Sequence, residues 1–146
     1  MISGRRMALD FGKVRIGVAI TDLSGLLPSP NNFVENTENV KKELESLITE
    51  FTPIYIAIGM PKHLSGESSK TSSEVLDFVE ILKSIYPGPI YAIDERFSTK
   101  AATRKLHDAG YKSREMKGSI DSVAAVGILE TALEWETSKN LEKCAI

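Results

Sequence analysis

Apolar residues between Met7 and Asp22 fall into two short runs, Met7-Ala-Leu-Asp-Phe and Val14-Arg-Ile-Gly-Val-Ala-Ile, with Gly12-Lys13 between them. This pattern predicts a β-hairpin. A two-residue turn would pair Phe11 with Val14, Asp10 with Arg15 and Leu9 with Ile16. Alternation then puts Met7, Leu9 and Phe11 on one sheet face, and Ala8 and Asp10 on the other. Leu26–Val34 reads as a third strand, with Pro28 and Pro30 marking a sheet edge. Val40, Leu44, Leu47, Ile48 and Phe51 recur at helical spacing after a Thr37 cap, and Thr52-Pro53 ends that helix. Ile54–Gly59 is a continuous apolar, β-branched run, which predicts a strand buried on both faces.

A second amphipathic helix follows through Val75, Phe78, Val79, Leu82 and Ile85, and then a short strand over Ile90–Ile93. Ser98 or Thr99 would cap a third helix running to Gly110. The segment 111–118 reads as a basic loop, and Ser119 as the cap of a last apolar helix. The order is β-β-β-α-β-α-β-α-α: an α/β fold with a mixed sheet and helices on both faces. Helix-connected strands around the hairpin put the Asp10 strand near the sheet centre, where ligands collect beyond strand carboxyl ends.

A chain of 146 residues suits one domain with a real core. No apolar run is long enough to span a membrane, the N-terminus lacks a signal-peptide core, and the one cysteine, Cys144, has no internal partner. These features lead us to expect a cytoplasmic protein. A net charge of −2 offers no whole-molecule attraction for nucleic acid. The distribution says more: seven basic residues between Arg96 and Lys117 face only Asp108 and Glu115. Such a segment is either a solvated face or a footprint for phosphates.

Asp10 is a lone acid in an apolar strand, so it needs a cation, a metal or hydrogen bonds. Arg15 across the hairpin would make an ion pair of roughly 0.2–1 kcal/mol; further acids would make Asp10 a metal ligand. Asp94-Glu95 closes the last strand and Asp121 opens the last helix, with small residues at Ala124 and Ala125 on its stripe. Asp121 would also suit the positive end of a helix without any ligand. Carboxylates from separate elements suit Mg²⁺ or Mn²⁺. Two such ions can activate water and stabilise the leaving oxygen of a phosphodiester. The Gly59–Ser69 loop is either a phosphate cradle or an ordinary surface loop, and His63 and His107 carry no catalytic signature.

The motifs Leu9-Asp-Phe-Gly-Lys-Val-Arg-Ile-Gly-Val-Ala, Gly59-Met-Pro-Lys-His-Leu-Ser-Gly-Glu-Ser-Ser, Asp94-Glu-Arg-Phe-Ser-Thr and Ile120-Asp-Ser-Val-Ala-Ala-Val-Gly-Ile-Leu-Glu resemble those of the YqgF/RuvX family. They stand in family order over nearly the whole chain. The resemblance implies a ribonuclease H-like fold over residues 1–137; the polar stretch 138–146 reads as a frayed tail. It implies a nuclease acting in 5′-end processing of pre-16S rRNA, or a Holliday junction resolvase similar to RuvC. By position, Asp10, Glu95 and Asp121 correspond to the catalytic, metal-binding acids, with Asp94 the alternative to Glu95. Arg15, Arg96, Lys100 and Arg104 are candidate contacts to a substrate backbone. One departure is that the strand ending Gly59-Met60-Pro61 lacks the acid that resolvases carry there. Two further classes are a non-catalytic RNA- or ribosome-binding module and an actin-like phosphotransferase, the latter disfavoured because such folds use two of these domains. A monomer and a homodimer both remain open.

Overall fold

A computed structural model describes residues 3–60, 70–94 and 113–146, with side chains described except over 70–72 and 113–121. Five strands form one sheet: β1 (Met7–Asp10), β2 (Arg15–Thr21), β3 (Pro28–Glu35), β4 (Ile56–Met60) and β5 (Ile90–Asp94). Their order is β3-β2-β1-β4-β5, with β1, β2 and β3 antiparallel neighbours and β4 and β5 parallel to β1. The sheet is therefore mixed and five-stranded, and β1 is central as the pattern predicts. Prolines 28 and 30, which have no N–H to donate, sit on the edge strand β3. All five residues of β4 are buried.

The helices among the described residues are α1 (Val40–Phe51), α2 (Lys70–Ile85) and α3 (Ser113–Thr137). Thr37 does not cap α1: Asn39 is the cap residue, and Thr37 Oγ1 instead accepts from the Asn39 N–H at 3.2 Å. Thr52 ends the helix in a left-handed conformation at φ 43°, and Pro53, with no N–H, cannot continue it. The helix expected over 98–110 lies outside the described residues.

Sheet alternation sorts the core into two layers. Met7, Leu9, Ile16, Val18, Ile56 and Ile58 pack under Val40, Leu44, Val75, Phe78 and Leu82 of α1 and α2. The other layer has a floor of Ala8, Ala19 and Ala57, and Ala125, Ile128, Leu129 and Ala132 of α3 lie on it. All of those α3 residues are fully buried. Alanines on three adjacent strands let α3 come close to the sheet, where the opposite face needs large aliphatic side chains to fill the gap.

Three further expectations differ from the structure. The hairpin register is Asp10 with Gly17 and Leu9 with Val18, so Asp10 does not face Arg15. The displacement is two residues, which keeps every side chain on its predicted face. The turn is wider because Asn36, beyond β3, holds it open: its side chain donates to the Gly12 carbonyl at 2.9 Å and its N–H to the Val14 carbonyl at 2.8 Å. The helix carrying Asp121 starts at Ser113, so Ser119 is not its cap, 113–118 is helical, and Asp121 stands in the helix interior. The tail is not frayed. Leu141 is buried in a 3₁₀ turn (Leu141–Cys144), and Ala145 pairs with Tyr91 along the open edge of β5.

Candidate nuclease site

Asp10 is the last residue of the central strand. It continues the Ala8 face, the one α3 covers, and is half-buried beyond fully buried Ala8 and Leu9. Its register partner is Gly17, itself buried, so no side chain stands between that stretch of sheet and whatever covers it. Asp94 ends β5, two strands away, and is half-buried. Two strand spacings are roughly 9–10 Å. Ile90 and Ala92 belong to the α1/α2 layer and Tyr91 and Ile93 to the α3 layer. Alternation thus puts Asp94 on the face opposite Asp10. Glu95, Arg96, Lys100 and Arg104 lie outside the described residues, as does the Gly59–Ser69 loop beyond Met60.

Asp121 lies within α3. Ala125 and Ile128, next on its stripe at helical spacing, are fully buried against the sheet. Ser122, the following residue, is 4% exposed and touches the sheet directly. Its hydroxyl donates to the Asn31 carbonyl of β3 at 2.7 Å and accepts the Val18 N–H of β2 at 3.4 Å. The β2–β3 register shifts at this point, so that β3 places Asn32 and Phe33 opposite Gly17. Helix α3 is therefore fixed over the β2–β3 pair, next to β1, which carries Asp10.

A second fastening holds the other end of α3. Arg6, fully buried, donates from Nε to Glu136 Oε1 at 3.1 Å and from Nη2 to Oε2 at 2.7 Å. The Tyr55 hydroxyl donates to Oε1 at 3.1 Å. Burial alone would lower the Arg6 pKa, but the hydrogen bond and charge of Glu136 more than offset it. Burial, followed by the neighbouring carboxylate, pushes the Tyr55 phenol far above its usual range. The sequence reading assigns no role to Arg6, Glu136 or Ser122. Ser122 could have been found there, because it opens a stripe with Ala125 and Leu129.

Arg15 begins β2 at the Asp10 end of the sheet and is exposed, with its guanidinium 4.8 Å from the Phe33 ring centre. Its register partner is Glu35. Arg15 thus presents a cation on the Asp10 side of the sheet, braced on an aromatic ring.

The donor chemistry fits a hard divalent cation. Asp10 offers carboxylate oxygens, half-buried, on a face shared with the helix that bears a second acid. Among the described residues no group of three or more His, Cys, Asp or Glu comes together. None of the described helices is long and apolar enough to cross a membrane.

Comparisons with known proteins agree with this architecture. A protein of Cutibacterium acnes named "Putative pre-16S rRNA nuclease" is 37% identical over 134 residues, covering 91% of this chain and 84% of that protein. One of Streptomyces coelicolor with the same name is 38% identical over 139 residues, covering 93% and 83%. Among solved structures, Thermus thermophilus RuvC superposes with a TM-score of 0.63 at 12% identity, covering 97% of this chain and 99% of that one. The fowlpox virus resolvase, solved with Holliday junction DNA, gives 0.57 at 14% identity, covering 89% and 97%. At such identities the likeness establishes the ribonuclease H-like fold. The family model described as "RuvX: Holliday junction resolvase" matches residues 4–135, and with the relatives above this shows that the chain belongs to the RuvX family.

Proposed function

We propose that this chain is a metal-dependent nuclease that hydrolyses a phosphodiester bond at the 5′ end of precursor 16S rRNA, in the cytoplasm. The observation that carries the reading is Asp10: an acid at the carboxyl end of the central strand, on the face covered by the helix of Asp121. Asp10, Glu95 and Asp121 would hold Mg²⁺ or Mn²⁺. Glu95 is preferred to Asp94 because alternation puts Asp94 on the other face of the sheet. Two ions held there would supply Lewis acidity, activating the attacking water and neutralising charge on the leaving oxygen. The chain's own part is to fix the carboxylates and to grip the substrate backbone through Arg15, Arg96, Lys100 and Arg104. Such contacts position a strand without reading its sequence.

The names borne by relatives at 37–38% identity favour an RNA substrate. A second reading, cleavage of a four-way DNA junction, rests on the family description. The test is a cleavage assay with precursor rRNA and a four-way junction side by side, in Mg²⁺ and in Mn²⁺, with Asp10→Asn as control. Metal-dependent cutting of the rRNA precursor, absent in Asp10→Asn, is expected. Cutting of the junction alone would move the assignment to DNA. Equal activity of wild type and variant would remove the nuclease reading altogether.

A further inference from the structure

We propose that Ser122 is a positioning residue for the metal-binding acids, setting where Asp121 stands relative to Asp10. The inference rests on the site proposed above and goes beyond it, because Ser122 is not itself a ligand.

The ladder between β2 and β3 is broken near Asp10. Between the pairs Ile16–Val34 and Val18–Asn31, β2 contributes one residue, Gly17, and β3 contributes two, Asn32 and Phe33. A bulge of this kind interrupts the ladder and leaves backbone groups to be satisfied from elsewhere. Ser122 meets that need from the helix: one hydroxyl accepts the Val18 N–H and donates to the Asn31 carbonyl, so it bridges β2 and β3 across the break. A buried hydroxyl with both its functions used has one rotamer and one place to be. Gly17, buried beside Val18 and lacking a side chain, is the register partner of Asp10. The contact is thus one residue along the chain from Asp121 on the helix and one residue from the partner of Asp10 on the sheet. Two other described polar contacts of α3 differ in geometry. Thr131, also buried, spends its hydroxyl on the Gly127 carbonyl of its own helix, and the Arg6–Glu136 pair lies at the far end of α3.

Loss of the Ser122 hydroxyl frees the helix to shift on its alanine floor by a fraction of an ångström, which a hard cation between two elements registers. Removing a group that orients metal ligands typically costs about 10–100-fold in metal affinity, and an indirect contact belongs at the lower end.

The test is Mn²⁺ binding to the full chain by titration calorimetry, for wild type, Asp10→Asn, Ser122→Ala and Thr131→Val. Urea midpoints and cleavage kinetics are measured on the same preparations. The expected result is about tenfold weaker Mn²⁺ binding in Ser122→Ala, and a fall in kcat with KM little changed. Thr131→Val should bind Mn²⁺ as wild type does, even where its stability falls as far as that of Ser122→Ala. If alanine leaves the chain unfolded, Ser122→Cys, which fills similar space with a weaker donor and acceptor, is read instead with the same expectation. Wild-type Mn²⁺ affinity in the Ser122 variant, or equal weakening in Thr131→Val, overturns the positioning role while leaving the site intact. Mn²⁺ binding that is absent in wild type or unchanged in Asp10→Asn overturns the site itself, and the inference with it.

Discussion

Replacing Glu136 by alanine should be among the most destabilising single changes in this protein, and the reason lies in what it leaves behind. Arg6 is 0% exposed and its side chain donates to Glu136 and to the Gly4 carbonyl, with the Tyr55 ring centre 5.9 Å away. Without the carboxylate, a fully buried guanidinium loses the charge and the two-pronged hydrogen bond of Glu136, and the Tyr55 hydroxyl loses its acceptor. Breaking such a buried pair from one side costs about 3–5 kcal/mol, a large share of the roughly 5–15 kcal/mol that holds a domain together. For a chain of this size that corresponds to a melting temperature lower by about 6–20 °C. The reciprocal change, Arg6→Met, should cost less, about 1–3 kcal/mol, because Glu136 is 20% exposed, can draw on water and keeps the Tyr55 hydroxyl. Urea unfolding of both variants and of the double variant measures the costs and their coupling. A Glu136→Ala cost below about 1 kcal/mol, or a larger cost for Arg6→Met, would refute the reasoning.

Further outcomes follow from other contacts. Burial pushes the Tyr86 hydroxyl, which donates to the Pro53 carbonyl at 2.9 Å, up to about 12 from a usual 10.0. Its contribution to stability is complete below pH 10.0 and is lost as the pH climbs through about 12. Tyr86→Phe should therefore lose less stability over that interval than wild type, and parallel pH profiles would contradict this. Arg15→Gln should weaken RNA binding across sequences and reduce the slope of log affinity against log salt by about one; an unchanged slope would remove Arg15 from the substrate path. Deleting residues 141–146 removes buried Leu141 and strips Ala145 from the β5 edge. Lower stability and self-association by size-exclusion chromatography are expected, whereas a monodisperse, equally stable product would show that the tail does not guard the edge.

The parts of this fold that local patterns encode were legible, and the parts set by distant contacts were not. Strict alternation over Met7–Phe11 assigns Asp10 to the correct face, because face depends only on the two-residue period of a strand. The hairpin register does not depend on that period, and Asn36, more than twenty residues on, decides it by holding the turn at Gly12 and Val14. Gly118-Ser119 looks like a loop end and a cap, yet α3 runs through both. A single glycine costs a helix only about 1 kcal/mol, which a long helix packed on a sheet absorbs. The tail looks polar and free, but Leu141 and the Ala145 backbone find partners on Ile54–Tyr91 surfaces remote in sequence. At the site, the acids were visible as residues and Asp10 as a position. The clasp at Ser122 depends on a bulge between two strands, which no local pattern announces.

The central claim is that Asp10 holds a metal required for phosphodiester hydrolysis. Its most direct test is single-turnover cleavage of precursor 16S rRNA in Mn²⁺ by wild type and Asp10→Asn, prepared in parallel and matched in fold by circular dichroism. Metal-dependent product is expected from wild type, with a rate at least about a hundredfold lower from the variant. Matching rates from the two proteins would contradict it.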